Sequence, residues 1–177
     1  GKTIVAMIAL YAAVRNGYQG ALMAPTEVLA EQHYDSFRKM LESRGVRIGL
    51  LTGSMKAAEK KQVKQLCESG ELDIVIGTHA VIQDDVHFHN LALVVTDEQH
   101  RFGVKQRLSL SQKGKSCDVL VMTATPIPRT LVLTQFGDMD YSKIDELPAG
   151  RKPVTTTVMP LSKIHEVVDA LKRKLQT

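Results

Sequence analysis

Tryptophan is absent, and tyrosine and phenylalanine contribute four residues each, so aromatics make up only 5% of the 177-residue chain. That scarcity argues against a surface of stacked aromatic platforms for single-stranded nucleic acid. Cysteine is nearly absent too. Cys67 and Cys117 stand far apart, form no Cys-x-x-Cys pair and read as reduced core thiols rather than a disulfide or zinc site. His87 and His89 lack any matching ligand spacing and read as a surface loop. The longest apolar run, residues 4–14, falls well short of the roughly 18 residues of a membrane span. No charged leader with a cleavage site is visible. A cytoplasmic chain without a membrane partner is therefore expected. Net charge is only +4, which permits nucleic-acid binding without requiring it.

What is present is an alternation of short apolar runs with helical periodicity. Hydrophobic residues at 44% and charged residues at 24% suit a domain with a sizeable core. Strands are expected at residues 20–24, 46–51, 73–77, 91–96 and 118–122. Between them, residues 4–14 read as a helix apolar all round and so buried on several sides. A second helix starts at Thr26 as N-cap, with Ala30, Tyr34, Phe37 and Leu41 on one face. A third, residues 55–69, turns Val63, Leu66 and Cys67 inward. Gly17, Gly45 and Gly70 are the terminators. Strands alternating with helices predict an α/β fold with a parallel sheet. Residues 146–153, rich in Pro, Gly and charge, read as a linker. A strand at 154–159 and a helix at 161–175 follow. One strand and one helix cannot bury a core alone, so residues 1–150 are expected to be one lobe and 151–177 the beginning of another that packs poorly by itself.

The run Leu91-Ala92-Leu93-Val94-Val95 delivers Thr96, Asp97 and Glu98 at its C-terminal end, with Gln99, His100 and Arg101 next. Open α/β sheets place their ligands at that edge. Gly1-Lys2-Thr3 matches the end of the phosphate-loop pattern G-x-x-x-x-G-K-[ST]. In it, backbone N–H groups and Lys take phosphate, and the hydroxyl sits on Mg²⁺. A strong helix follows directly, as anion binding at a helix N-terminus requires. Gly1, Lys2 and Thr3 are thus the candidate ATP-binding residues, and Thr3 and Asp97 the candidate Mg²⁺ ligands. Glu98 would orient and deprotonate a water beside Asp97. A phosphoryl-transferring kinase would use the same parts.

Asp97-Glu98-Gln99-His100 resembles the D-E-x-H form of the Walker B element in superfamily-2 helicases. Ala24-Pro25-Thr26-Glu27 is similar to their motif Ia, Thr52-Gly53 to motif Ib, Ile76-Gly77-Thr78-His79 to a further strand-end motif, and Thr123-Ala124-Thr125 to motif III. More narrowly, DEQHRFGVKQR, TATPIPRTL and IDELPAGRKPV resemble the bacterial branch-migration helicases. Transcription-repair coupling translocases share HRFGV and TATPIPRTL but are expected to lack DELPAGRKPV. The resemblance covers essentially the whole chain and speaks against the kinase.

The resemblance implies a P-loop NTPase of the RecA-like kind, a parallel sheet flanked by helices on both faces and truncated at both ends. ATP and Mg²⁺ are the implied cofactors. Branched duplex DNA (forks and Holliday junctions), a second RecA-like lobe and a wedge domain are the implied partners. Gln99, His100, Thr123 and Thr125 would relay nucleotide state across the top of the sheet. Pro25, Thr26, Thr52, Gly53, Thr78 and His79 would meet a DNA backbone, where small hydroxyls and backbone N–H groups suit phosphate contacts. Arg101, Lys105, Arg107 and Arg129 would line the path or simply solvate a helix face. The isolated chain is expected to hydrolyse little ATP, or to act only as an inert scaffold. The front of the phosphate loop and the second lobe's arginines are not in it.

Overall fold

A computed structural model describes residues 1–97, 117–124, 140, 142–144, 146, 150 and 154–175. Two compact units emerge, Gly1–Asp140 and Tyr141–Thr177. In the first, strands β1 (Gln19–Met23), β2 (Ile48–Leu51), β3 (Ile74–Gly77), β4 (Leu91–Asp97) and β5 (Asp118–Met122) form one sheet in the order β2-β3-β1-β4-β5. Every pairing is parallel. This is the expected fold class.

The central strand β1 is buried along its whole length, which is why its sequence carries no polar alternation. Successive side chains in a strand point to opposite faces, and the two halves of the core follow that rule. Ala21, Met23, Val75 and Val94 pack on the face covered by helix α3 (Ala57–Glu68), with Cys67 and Leu51. Leu22, Ile74, Ile76 and Val95 pack on the opposite face. That face is covered by α1 (Lys2–Arg15) through Ala6, Met7 and Leu10, and by α2 (Glu27–Leu41) through Phe37 and Leu41. Leu10 and Phe37 are fully buried, each contributing roughly 2–3 kcal/mol in transfer free energy.

Helix ends and turns set the layout. Tyr18 N–H donates to Ala13 O (3.1 Å) and Gly17 N–H to Val14 O (3.0 Å). This paired bonding closes α1 with Gly17 at φ +81°, a conformation side chains with a Cβ resist. The turn is short, so α1 runs antiparallel to β1. Its first residues therefore lie at the edge where the strands end. At that edge a Cβ on Gly77 would meet the Leu51 carbonyl of the neighbouring strand, so only glycine fits there.

Two expectations are corrected. Helix α1 is not buried on several sides: Ile4 (46%), Val5 (47%) and Ile8 (64%) are exposed, because a helix lying on one sheet presents a single stripe to it. Residues 154–159 form no strand. They are exposed and without regular structure, and no strand is paired with them among the described residues. In the second unit α4 (Ile164–Leu175) follows a short 3₁₀ turn at Leu161–Lys163 and buries no side chain. This matches the expected helix and its poor packing. Among the described residues, no helix is long and apolar enough to cross a membrane.

Candidate functional site

The loops following β1, β2 and β3 meet at the C-terminal edge of the sheet, where β4 and β5 also end. Ala24 N–H donates to Gly77 O at 2.8 Å, and Thr78 N–H to Leu51 O at 3.3 Å. These two bonds lock the ends of β1, β2 and β3 side by side. Asp97 lies two residues after Val95 and so on the same face, the one that α1 and α2 cover. Lys2 and Thr3 open α1 on that face and at that edge. The candidate phosphate residues and the candidate Mg²⁺ carboxylate are thereby brought to one side of one edge.

The N-terminus of α1 suits an anion. Gly1 provides no side-chain cap, and the first turn holds no acid, whereas α2, α3 and α4 each carry a glutamate there. The positive pole of a helix start attracts an anion, and no acid of the first turn of α1 opposes it.

Asp97 is held. Its Oδ2 lies 2.9 Å from Nε2 of His33 on α2, with the two side chains only 17% and 10% exposed. An ionised carboxylate only accepts, so Nε2 is the donor. Oδ1 has no hydrogen bond among the described residues. One hard carboxylate oxygen and one threonine hydroxyl make a donor set suited to Mg²⁺ that shares its sphere with substrate phosphate. No cluster of three or more His, Cys, Asp or Glu that could cage a metal exists among the described residues. His87 and His89 are exposed.

His33 was not singled out from the sequence. Its signal was present: Ala30, His33, Phe37 and Leu41 are spaced on one helical face and all four are buried, while Tyr34 is only partly so.

The nucleic-acid candidates divide by exposure. Pro25, Thr26, Gly53 and His79 are exposed, whereas Thr52 (2%) and Thr78 (5%) are buried. The hydroxyls of Thr52 and Thr78 therefore point into the protein, and any contact there falls to the main chain or its exposed neighbours. Thr26 Oγ1 accepts from Leu29 N–H at 3.3 Å, the expected N-cap. Glu27 accepts from Ser54 N–H at 2.8 Å, and Lys60 Nζ donates to Gly53 O. The Ser54 hydrogen bonds hold the Glu27 carboxyl below its usual range. The turn after β2 is thus tied to the start of α2 and to α3. Burial pushes the Cys67 thiol up to about 12 and the Cys117 thiol up to about 11. Both are free, Cys67 in the core as expected and Cys117 only partly buried. Thr123 is partly buried at the end of β5. Glu98, Gln99, His100, Arg101, Lys105, Arg107, Thr125 and Arg129 lie outside the described residues.

The family model of the DEAD/DEAH box helicases matches residues 1–133. The chain belongs to the DEAD/DEAH box helicase family. Within it, the chain is 53% identical over 99% of its length to the ATP-dependent DNA helicase RecG of Streptococcus pneumoniae, and 54% identical, again over 99%, to that of Bacillus subtilis. It covers 26% of each, so this helicase chain spans about a quarter of the length of the curated relatives it matches. A solved structure of RecG bound to a three-way DNA junction superposes with a TM-score of 0.82 at 44% identity, over 99% of this chain and 24% of that one. The RecA-like α/β fold of a helicase lobe follows from these matches.

Proposed function

We propose that residues 1–150 are the first RecA-like motor lobe of a RecG-type ATP-dependent DNA helicase. Residues 151–177 are then the linker and the beginning of the second lobe. The observation that carries this reading is the convergence of Lys2, Thr3 and Asp97 on one face and one edge of the sheet. The similarity to RecG proteins supports the substrate: forks, Holliday junctions and other branched duplexes, remodelled in the cytoplasm during recombination and repair. A wedge domain and a second lobe of the full-length protein complete the machine.

The chain's own residues divide the work. Lys2 and the first N–H groups of α1 bind the β and γ phosphates of ATP. Thr3 and Asp97 hold Mg²⁺ against them. When bound, the ion neutralises phosphate charge and orients the phosphates for in-line attack. Glu98 takes a proton from the attacking water. Gln99, His100, Thr123 and Thr125 pass the nucleotide state along the strand ends. Pro25, Thr26, Gly53 and His79, with the main chain at Thr52 and Thr78, meet the DNA backbone and fix position without reading sequence.

Glu98→Gln in the full-length protein tests the reading. The amide cannot accept the proton, so ATP hydrolysis should fall by about 10²-fold or more while ATP still binds. Near-normal DNA unwinding by that variant would remove Glu98 from the role.

A further inference from the structure

His33 lies outside the short motifs named above, yet it makes the one side-chain hydrogen bond to Asp97 among the described residues. It sits mid-way along α2, two turns from the cap at Thr26. The pair is largely shielded from solvent, at 10% and 17% exposure. In such surroundings a charge-assisted hydrogen bond is strong and directional. A carboxylate at a strand tip can rotate about its Cα–Cβ and Cβ–Cγ bonds. A donor fixed on a packed helix removes that freedom and dedicates one oxygen. Helix α2 is itself immobilised at both ends, by Phe37 and Leu41 buried in the core toward its C-terminus and by Glu27 at its start, which accepts from Ser54 N–H at 2.8 Å.

We propose that His33 is a positioning residue for the metal carboxylate. By donating Nε2–H to Oδ2 it fixes the Asp97 rotamer and leaves Oδ1 as the oxygen open to Mg²⁺. This rests on the assignment of Asp97 as the Mg²⁺ ligand. Partners of this kind that orient a ligand typically change metal affinity 10–100-fold when removed. The arrangement also makes α2 a strut. One end holds the turn after β2, at the edge proposed for DNA, and its middle holds the carboxylate proposed for Mg²⁺.

The experiment uses the full-length protein and reads Mn²⁺ binding by electron paramagnetic resonance, with a non-hydrolysable ATP analogue present, so that turnover plays no part. His33→Phe and His33→Leu remove the donor, and either one that keeps the wild-type circular dichroism suffices. His33→Gln retains an N–H at comparable reach. The donor-less variants should bind Mn²⁺ about tenfold or more weakly, and His33→Gln should stay within about threefold of wild type. In hydrolysis assays the donor-less variants should need about tenfold more Mg²⁺ for half-maximal rate, with turnover recovering at saturating Mg²⁺. Unchanged Mn²⁺ affinity in a folded donor-less variant overturns the proposal. So does a His33→Gln variant as weak as His33→Phe, since packing alone would then explain the loss. Asp97→Asn serves as the control. If it too leaves Mn²⁺ binding unchanged, the assignment of Asp97 fails, and not merely that of His33.

Discussion

The two edges of the sheet treat polar groups in opposite ways. At the edge where the strands begin, hydrogen-bonding capacity is filled. Gln19, 5% exposed, donates from Nε2 to Cys67 O (3.0 Å) and Leu72 O (2.7 Å), and accepts at Oε1 from Asn90 N–H (2.9 Å). Nearby, Asp73 accepts from the Arg47 main-chain N–H (2.7 Å) and from both Nε (3.0 Å) and Nη2 (2.7 Å) of its side chain. At the edge where the strands end, capacity is left open. Thr78 and Thr96 are buried, and neither Oγ1 has a partner among the described residues. Among the described residues Thr52 Oγ1 reaches only Ser54 Oγ, at 3.4 Å. Buried polar groups are ordinarily paired, and exceptions cluster where a protein works rather than where it is held together. The difference fits the proposal that the edge where the strands end is the one that takes a ligand.

That separation can be broken from either side. The largest effect should come from Asp97→Asn in the full-length protein. The amide oxygen can still accept from His33, so the fold is preserved and the thermal midpoint should move by no more than about 2 °C, as for a change worth a few tenths of a kcal/mol. Loss of the charge on Mg²⁺ should cost several kcal/mol in the transition state, a fall in turnover on the order of a thousandfold. A large drop in melting temperature with little change in turnover per folded molecule would show that this edge, too, is structural.

Gln19→Leu probes the opposite edge. It takes the Gln19 partner from Leu72 O and Asn90 N–H in a buried place, while Cys67 O keeps Gly70 N–H and His89 N–H at 3.2 Å each; each unsatisfied group costs roughly 1–3 kcal/mol. A loss of about 3 kcal/mol in urea unfolding is expected, with ATP affinity unchanged at low denaturant. Asp73→Ala should follow with a smaller loss, about 1–2 kcal/mol. Asp73 is 18% exposed but its partner Arg47 is 53% exposed, and solvent screens that part of the pair. If either variant lowered nucleotide affinity without lowering stability, the division between edges would not hold.

The same division explains what the sequence could and could not reveal. The strand runs, the caps at Gly17, Thr26, Gly45 and Gly70, and the place of Asp97 at the end of β4 depend on neighbours in the chain, so local pattern was enough. Gly45 and Gly70 do adopt positive φ, at 78° and 77°. His33 depended on a partner 64 residues away, and periodicity alone places a histidine in an apolar stripe without saying what it meets. Thr52 and Thr78 read as hydroxyls at strand ends open to a DNA backbone, but both are buried, which depends on the elements packed around them rather than on their neighbours in the chain. The β-branched run at 154–158 needs a strand beside it to become a strand, and none is paired with it among the described residues. Propensity is overridden wherever tertiary partners decide.

The smallest prediction has the opposite sign. Thr96 is 1% exposed, and its hydroxyl lies among Met23 and Val121 as strand neighbours. Valine keeps the β-branched shape and removes a hydroxyl whose burial without a partner costs free energy. Thr96→Val should therefore stabilise the protein by about 1 kcal/mol, read as a higher urea midpoint with an unchanged slope. An edge selected for stability would not leave such a gain available, whereas one selected for function does. A destabilisation of similar size would mean that Oγ1 has a partner and that the strand-end edge is as fully satisfied as the other. In that case the open capacity at Thr78 alone would be too little to distinguish the two.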